Sequence, residues 1–395
     1  MRNYSLIQNV YNWGASYSRV ILKNTKFSKL EDYFVHVQKY DKFENLLEEG
    51  ERKVIDAYQS DGLGKRDGHG DSVTLELEIK GMDSLASPFY NDPTIWNDGG
   101  EAYLKSWPIT KYTIRNTETD EVFDVLDEIY KPDEEKFIFG KYEFNNRILP
   151  YAYYEPEKDN DKHPLIIWLH GYGSGGDELG FVTGGMLTTY FITKDVQDIF
   201  GGAHIMMPQA HTAWMDDGSG SYTKDGHSMY TDIVESLIQN YIDTHEDIDR
   251  GRIYIGGCSN GGYMTVNMLL HNPSRYAAAF PVCEAYQDKW LRDEDIQVLK
   301  NIPLWFVHAE NDTEVDIHTT ALPTYEKLKE IGHADLHFTK YEKIIDPDLG
   351  FEYIGHFAWV YSLKNLCKED YDGKPVIVNN KEATLYEWVA SHRKP

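Results

Sequence analysis

The chain has 395 residues and a mass of 45.7 kDa, which at roughly 150 residues per domain favours two or three domains. Its 41% hydrophobic and 26% charged residues are typical of a globular protein and exclude a disordered or collagen-like chain. The 65 acidic and 39 basic residues give a net charge of −26, which repels polyanions and argues against nucleic acid or an anionic membrane as a partner.

Short apolar runs and few cysteines narrow the class further. The longest apolar runs, residues 165–169 and 277–283, fall far short of the roughly 18 residues of a membrane span, so we expect a soluble protein. The sequence shows no signal-peptide pattern at its start, and a signal peptide that has already been removed is an alternative. The sequence assigns neither the cellular compartment nor the oligomeric state. The cysteines, Cys258, Cys283 and Cys367, are too few and too dispersed to predict a disulfide framework or a metal site.

Residues 1 to 135 are predicted to form strands joined by turns. Apolar side chains alternate with polar ones over residues 73–79, which is typical of a strand with one buried face. Similar β-rich runs lie at residues 19–22, 33–37, 53–58 and 111–115. We therefore expect a small antiparallel sandwich domain, with an ordered loop at residues 81–108 that is rich in Pro, Gly and aromatic residues.

From residue 136 to residue 395 the pattern changes to alternating strands and helices. Residues 136–144 and 147–154 are predicted to form a hairpin, and the apolar run 165–169 predicts a buried strand. Further buried strands are expected at residues 203–207, 252–256, 277–282 and 304–308, with helices at 230–244 and 325–331. This alternation favours an α/β domain with a mainly parallel sheet covered by helices.

A glycine-rich turn between a strand and a helix contains the candidate nucleophile. The strand at 252–256 runs into Gly257-Cys258-Ser259-Asn260-Gly261, and a helix is predicted over residues 263–270. The motif G-x-S-x-G requires this context, because glycine on both sides of the serine avoids a Cβ clash in a strained turn. Ser259 would then lie at a helix N-terminus, where the backbone N–H of Asn260 can bind a developing oxyanion.

The loop after the first buried strand, residues 170–176, has two interpretations. As an oxyanion loop, its glycines turn backbone N–H groups toward a carbonyl oxygen, with Tyr172 as the second donor. As a dinucleotide fingerprint, it matches G-x-G-x-x-G, but Asp177 and Glu178 follow directly and would repel a pyrophosphate. We therefore favour the oxyanion loop and predict no cofactor.

An activated serine needs a histidine base and a carboxylate that orients it, in the chain order Ser, acid, His for an α/β-hydrolase. The strand at 304–308 leads into an acidic turn, in which we choose Asp312 as the acid over its rivals Glu310 and Asp316. His356 lies in a predicted strand-to-helix loop, and this context favours it as the base. The other histidines after Ser259 are His308, His318, His333 and His337.

These residues resemble the α/β-hydrolase superfamily over residues 137–395. The segments His170-Gly171-Tyr172-Gly173, Met207-Pro208-Gln209-Ala210 with Trp214, Gly257 to Gly262, and Gly355-His356-Phe357-Ala358-Trp359 resemble the bacterial esterases that include feruloyl esterases and polyhydroxybutyrate-depolymerase-like enzymes. The β-rich N-terminal region is similar in layout to the immunoglobulin-like domain of Thermotoga-type esterases.

The resemblance implies hydrolysis of carboxylic esters through an acyl-enzyme, with Ser259 as nucleophile, His356 as base and Asp312 as acid. It also implies Tyr172 and Asn260 as oxyanion donors, while Trp214 and Gln209 are expected either near the acyl group or in ordinary core packing. No long apolar lid segment is present, which favours short or aromatic acyl groups on small-molecule or polymer-linked esters. Two alternatives stay open: a serine peptidase of the oligopeptidase type, because the same triad cleaves both bonds, and a catalytically inert polysaccharide- or partner-binding protein.

Overall fold

The computed structural model describes residues 2–92 and 104–395, and the middle of the loop predicted at 81–108 lies outside these ranges. The described residues divide into two compact units. The first unit holds residues 2–92, 105–135 and 184–186, and the second holds residues 104, 136–183 and 187–395.

The first unit is built from strands. Its strands are β1 (Arg2–Tyr11), β2 (Gly14–Leu22), β3 (Tyr33–Tyr40), β4 (Leu46–Arg52), β5 (Val54–Ser60), β6 (Ser72–Leu77), β7 (Tyr90–Asn91), β8 (Lys105–Ser106), β9 (Ile109–Asn116) and β10 (Glu121–Tyr130), with a 3-10 turn at Leu30–Asp32. Eight of these strands within the described residues form one sheet in the order β4-β3-β9-β10-β1-β2-β6-β5, and the short strands β7 and β8 pair with each other. The all-β class expected for this region is confirmed.

One strand pair departs from the antiparallel arrangement that we expected. Strand β1 pairs antiparallel with β2 but parallel with β10, for example at Arg2 with Phe123. A tight hairpin can join only antiparallel neighbours, whereas β1 and β10 are separated by most of the domain, and this long connection permits the parallel direction. The alternation of apolar and polar residues defines each strand but carries no information about its direction.

Alternation also defines the core of the first unit. In β3 the side chains of Tyr33, Val35 and Val37 are buried against β2, β6 and β9 residues, and they alternate with less buried ones. Lys39 continues this buried face, and its ammonium donates to the backbone oxygens of three loop residues, Ser84, Ser87 and Phe89. Burial lowers the pKa of Lys39 to about 8. The lysine therefore orders the start of the long loop.

The second unit contains the helices and a second sheet. Its main strands are β11 (Ile138–Phe144), β12 (Arg147–Tyr154), β13 (His163–Leu169), β14 (His204–Pro208), β15 (Ile248–Cys258), β16 (Ala278–Val282), β17 (Leu304–Ala309) and β18 (Leu336–Tyr341), with short strands β19 (Ile344–Ile345), β20 (Glu352–Tyr353), β21 (Ile377–Val378) and β22 (Lys381–Glu382). The helices are α1 (Gly180–Gly184, whose last residue groups with the first unit), α2 (Lys194–Phe200), α3 (Thr231–Thr244), α4 (Asn260–His271), α5 (Asp293–Leu299), α6 (Ala321–Glu330), α7 (Trp359–Leu363) and α8 (Leu385–Ala390). Turns of 3-10 helix lie at Tyr172–Ser174, Leu187–Ile192, Asp288–Trp290 and Gly355–Ala358.

The order of strands in this sheet determines where a site can form. The order is β11-β12-β14-β13-β15-β16-β17-β18, with antiparallel pairs at β11-β12 and β12-β14 and parallel pairs from β14 to β18. The chain moves from β13 outward to β14 and then returns past β13 to β15, so the connections diverge between β13 and β15. Ligands bind at such a divergence, beyond the carboxyl ends of the strands.

The sequence patterns of this unit match their positions in the fold. All seven residues of β13 are buried, as the continuous apolar run predicts for a central strand covered on both faces. In α3 the buried residues recur with helical spacing along one face, from Ile233 and Val234 to Leu237, Ile238 and Tyr241. The predicted hairpin, the buried strands and the mainly parallel sheet are thus confirmed. In the described part of the chain, no helix has the length and apolar character needed to cross a membrane.

Candidate active site

Tyr172, Ser259 and Asp312 follow the carboxyl ends of β13, β15 and β17, and His356 follows the short strand β20. Ser259 lies between the end of β15 and the start of α4, with φ of 58° and ψ of −118°. This positive φ is unfavourable for a residue that carries a Cβ, so the turn stores strain. Two backbone bonds hold it: the N–H of Ser259 donates to the carbonyl of Val282 at 2.9 Å, and the N–H of Tyr263 donates to the carbonyl of Ser259 at 2.9 Å.

The glycines on both sides of Ser259 are needed for close backbone approach. A Cβ at Gly261 would lie 2.0 Å from the carbonyl oxygen of Leu169, and a Cβ at Gly257 would lie 2.6 Å from the same atom. A Cβ at Gly262 would lie 2.6 Å from the Cα of Glu284. The G-x-S-x-G-G spacing therefore fits the first turn of α4 between the ends of β13 and β16.

The oxyanion loop after β13 lies beside this turn. An added Cβ at Gly171 would be 3.7 Å from the Cβ of Ser259, and Tyr172 follows in a 3-10 turn. His170 is buried and accepts a hydrogen bond from the N–H of Ala210 at Nε2 (3.0 Å). Its Nδ1 therefore carries the proton and donates to the carbonyl of Gly171 at 2.7 Å. Burial lowers the pKa of His170 to about 4, so this neutral tautomer persists at neutral pH.

Trp214 and Gln209, which we expected near the acyl group or in core packing, support this loop. Both side chains are fully buried. The indole N–H of Trp214 donates to the carbonyl of His170 at 3.0 Å, and the amide of Gln209 donates to the carbonyls of Ser174 at 2.9 Å and Glu178 at 3.0 Å. Neither side chain has an exposed surface in this structure, so both take the packing role that was the alternative to contact with the acyl group.

The structure brings Asp312 and His356 together. Nδ1 of His356 lies 2.8 Å from Oδ2 and 3.0 Å from Oδ1 of Asp312. The carboxylate is buried, and Oδ1 also accepts the backbone N–H groups of Glu314 (2.9 Å) and Val315 (3.0 Å). Burial alone would raise the pKa of Asp312, but hydrogen bonds from His308 and His356 outweigh it and hold the pKa below its usual range. The acid is thus ionised, and it holds the proton of His356 on Nδ1.

The other acids and histidines considered from sequence have different partners. Glu310 is partly exposed and pairs with Lys340 and His318. The carboxylate of Asp316 accepts the backbone N–H of His318. His333 contacts the carbonyl of Ile302, and His337 lies between Asp335 and Asp370.

His308 is a second histidine that hydrogen-bonds to Asp312, and sequence reasoning did not anticipate this contact. It is fully buried at the end of β17, and its Nε2 lies 3.1 Å from Oδ2 of Asp312. Since that nitrogen donates to the carboxylate and to the carbonyl of Val315 (3.2 Å), His308 helps to keep Asp312 ionised. The four-residue spacing from histidine to acid at a strand end was the available signal.

Replacing His308 with phenylalanine removes one hydrogen-bond donor from the buried carboxylate of Asp312. A hydrogen bond to a charged group contributes about 1.5–3 kcal/mol, so we expect kcat to fall by about 10- to 100-fold. Steady-state kinetics on p-nitrophenyl acetate measure this effect, and thermal melting shows whether the variant folds. A folded variant with the kcat of the wild type would contradict the role of His308 in keeping Asp312 ionised.

A glycine sets the approach of the two catalytic loops. A Cβ at Gly355 would lie 2.4 Å from Oδ1 of Asn311 and 2.5 Å from the backbone nitrogen of Asp312. The loop that carries His356 therefore contacts the loop that carries Asp312 directly, backbone against backbone.

We expect Gly355→Ala to move His356 away from Asp312 and to lower kcat about 100-fold, the cost of a displacement of about 1 Å in catalytic geometry. Gly62→Ala is a suitable control, because nothing lies within 4 Å of the added carbon. Both variants are compared by turnover and by thermal melting. Full activity in Gly355→Ala would show that the close contact is not needed for catalysis.

Two further residues at the end of β16 were missed by sequence reasoning. Cys283 is buried, with φ of 35°, and its N–H donates to the carbonyl of Val307 at 2.7 Å. Glu284 is also buried, and its Oε2 accepts the N–H of Tyr286 at 2.5 Å. Burial raises the pKa of Glu284 to about 8, so it is protonated at neutral pH. Their position directly after a buried strand was the only signal in the sequence.

Comparison with known proteins gives two family matches. Residues 155–346 match the Phospholipase/Carboxylesterase family, and residues 3–131 match the Esterase Ig-like N-terminal domain. No curated protein sequence matches the chain.

Solved structures include similar folds. The crystal structure of a thermostable esterase is similar over 100% of both chains, with a TM-score of 0.76 and 19% sequence identity. A ferulic acid esterase aligns with 58% of this chain and 95% of its own, with a TM-score of 0.43 and 14% identity. The first likeness, at this identity, is one of fold.

The two family matches account for most of the chain and agree with the two units of the fold. The sheet order, with the serine turn after β15, is that of an α/β-hydrolase. Residues 155–346 are therefore a domain of the phospholipase/carboxylesterase family with an α/β-hydrolase fold, and residues 3–131, which precede it in the chain, are an esterase-type Ig-like domain.

Proposed function

We propose that the protein hydrolyses carboxylic esters with short-chain or aromatic, feruloyl-type acyl groups through an acyl-enzyme on Ser259. The single observation that carries this proposal is the bond from His356 Nδ1–H to the ionised Asp312. This bond leaves the lone pair of His356 Nε2 available as a base. His356 lies at the same edge of the sheet as the strained turn of Ser259. We assign catalysis to residues 136–395 and the Ig-like domain to residues 1–135.

In the first half of the reaction, Nε2 of His356 removes the proton of Ser259 while Oγ attacks the ester carbonyl. Asp312 stabilises the resulting imidazolium. The backbone N–H groups of Asn260 and Tyr172 bind the oxyanion. Asn260 opens α4, where the first N–H groups have no helical partner, and Tyr172 follows Gly171, which lies beside Ser259. His356 then gives its proton to the leaving alcohol.

In the second half, water takes the place of the alcohol. His356 removes a proton from this water, which attacks the acyl carbonyl, and the same oxyanion donors act again. Collapse of the tetrahedral intermediate releases the acid and returns the proton to Ser259. Every group in this scheme belongs to the chain, so the proposed reaction uses no cofactor.

A pair of aromatic rings, one of them on the oxyanion loop, supports an aromatic acyl group. The rings of Tyr172 and Tyr222 meet edge to face, with centroids 6.0 Å apart, and both are half-buried. Rings arranged in this way favour contact with another planar ring. Feruloyl-type esters carry such a ring next to the carbonyl that Ser259 would attack.

The test is hydrolysis of p-nitrophenyl esters from acetate to long chains, of methyl ferulate and of an aminoacyl anilide, by wild type and by Ser259→Ala. We expect turnover of short and feruloyl esters, lowered about 10⁶-fold in the variant. Turnover only of long-chain esters would contradict the substrate class, and turnover only of the anilide would indicate a peptidase. No turnover of any compound would indicate a binding protein.

A further inference from the structure

Among the described residues, one side-chain ligand atom from each of Cys283, Asp312 and His356 lies within 4.8 Å of the others. The three residues follow different elements: Cys283 follows β16, Asp312 follows β17 and His356 follows β20. The left-handed backbone at Cys283, with φ of 35°, accompanies the close approach of its sulfur to the acid and the base. The proposed hydrolytic mechanism uses Asp312 and His356 but has no role for this thiol.

Sulfur, imidazole nitrogen and carboxylate oxygen together form a donor set typical of Zn²⁺ and of softer ions such as Cd²⁺. Bonds of about 2.0–2.3 Å in a tetrahedral shell place ligand atoms about 3.3–3.8 Å apart. Shifts of at most about 1–1.5 Å therefore fit the three ligand atoms around an ion, with the sulfur moving inward and the 2.8 Å pair of His356 Nδ1 and Asp312 Oδ2 moving slightly apart. Water completes the shell from the side of His356, whose side chain is 12% exposed while Asp312 is fully buried.

Charge favours a divalent ion at this position. Asp312 is ionised, and deprotonation of Cys283 adds a second negative charge, so a divalent cation makes the buried group neutral overall. Without metal, the buried sulfur of Cys283 is a free thiol. Binding of the ion thus releases one proton from Cys283 to water.

We propose that Cys283, Asp312 and His356 form a binding site for thiophilic divalent cations, and that an ion bound there switches off the hydrolase. The S–H bond of Cys283 breaks, and the ion bonds to Sγ, to an oxygen of Asp312 and to Nδ1 of His356. The proton displaced from Nδ1 moves to Nε2. With Nε2 protonated, His356 has no lone pair to accept the proton of Ser259, so ester hydrolysis stops. The inhibitory consequence rests on the proposed function, whereas the binding site itself does not.

The test titrates the full chain with Cd²⁺ and follows two signals: the ultraviolet charge-transfer band of a cadmium–thiolate bond, and hydrolysis of p-nitrophenyl acetate. We expect the band to saturate at one ion per chain and activity to fall in parallel, with recovery on adding a chelator. Cys283→Ser should abolish the band and raise the half-inhibitory concentration at least about tenfold. Cys367→Ser, the same change at a buried thiol outside the cluster, should alter neither.

Each negative result of this experiment contradicts a different part of the proposal. No band in wild type, or a band that persists in Cys283→Ser, overturns the metal site. A band without inhibition overturns the switch, and absence of esterase activity before cadmium is added overturns the proposed function while the band still tests the site. If Cys283→Ser does not fold, the double variant Cys258→Ser/Cys367→Ser retains Cys283 as its single thiol, and loss of the band there also overturns the proposal.

Discussion

Replacing Asp312 with asparagine should lower kcat about 10⁴-fold without unfolding the protein, because the variant holds His356 in the wrong tautomer. The amide must keep its oxygen at the Oδ1 position, where the N–H groups of Glu314 and Val315 both donate. Its NH₂ group then takes the Oδ2 position, 2.8 Å from Nδ1 of His356. Nδ1 becomes an acceptor, the ring proton moves to Nε2, and the base is lost.

Asp316→Asn is the matched control, because it makes the same chemical change at an exposed carboxylate of the same turn. We expect its kcat to equal that of the wild type. Turnover of p-nitrophenyl acetate and the melting temperature are measured for both variants. Activity within tenfold of the wild type in Asp312→Asn would exclude Asp312 as the acid that orients the base.

The second large effect is expected on stability, at Glu284. Burial raises the pKa of this carboxyl from 4.5 to about 8 in the folded protein. Between these two pH values the unfolded chain has released the proton and the folded chain still holds it, so unfolding becomes easier as pH rises. At about 1.4 kcal/mol per pH unit, this residue removes on the order of 5 kcal/mol of unfolding free energy by pH 8.

Glu284→Gln should abolish this loss, because the amide is neutral at every pH and its oxygen still accepts the N–H of Tyr286. At pH 4.5 the two proteins should unfold at similar urea concentrations, whereas at pH 8 the variant should be more stable by several kcal/mol. Glu326→Gln, on an exposed part of α6, should show no such pH dependence. An equal stability difference at pH 5 and pH 8 would contradict a protonated Glu284.

The sequence predicted the family, the fold class and the elements around the site because these depend on local patterns. The confirmed resemblance rests on contiguous motifs such as residues 257–262, and the buried strands were visible as short apolar runs. The parallel pairing of β1 with β10 was not visible, since it joins segments more than 100 residues apart that share no local signal.

The residues that hold the reactive groups in place were harder to predict than the reactive groups themselves. Trp214 and Gln209 lie near sequence motifs, and their aromatic and polar side chains could either contact a substrate or support the oxyanion loop from the core. Only their hydrogen bonds in the structure distinguish these two roles. Cys283 comes near the acid because strands β16 and β17 are neighbours in the sheet, and local sequence does not encode that order. His308 is only four residues from Asp312, but this spacing alone does not show that the two side chains meet, and only the structure gives their contact.

The strained backbone at Ser259 makes thermal stability and catalytic activity conflict at this position. A residue with a Cβ at φ of 58° and ψ of −118° costs about 1–3 kcal/mol, and glycine at the same position would recover much of that energy while removing the hydroxyl. A library sorted only for survival at high temperature would therefore enrich inactive molecules at position 259. Selection for thermal stability therefore has to be combined with selection for turnover, because the strained residue is also the one that carries the reactive group.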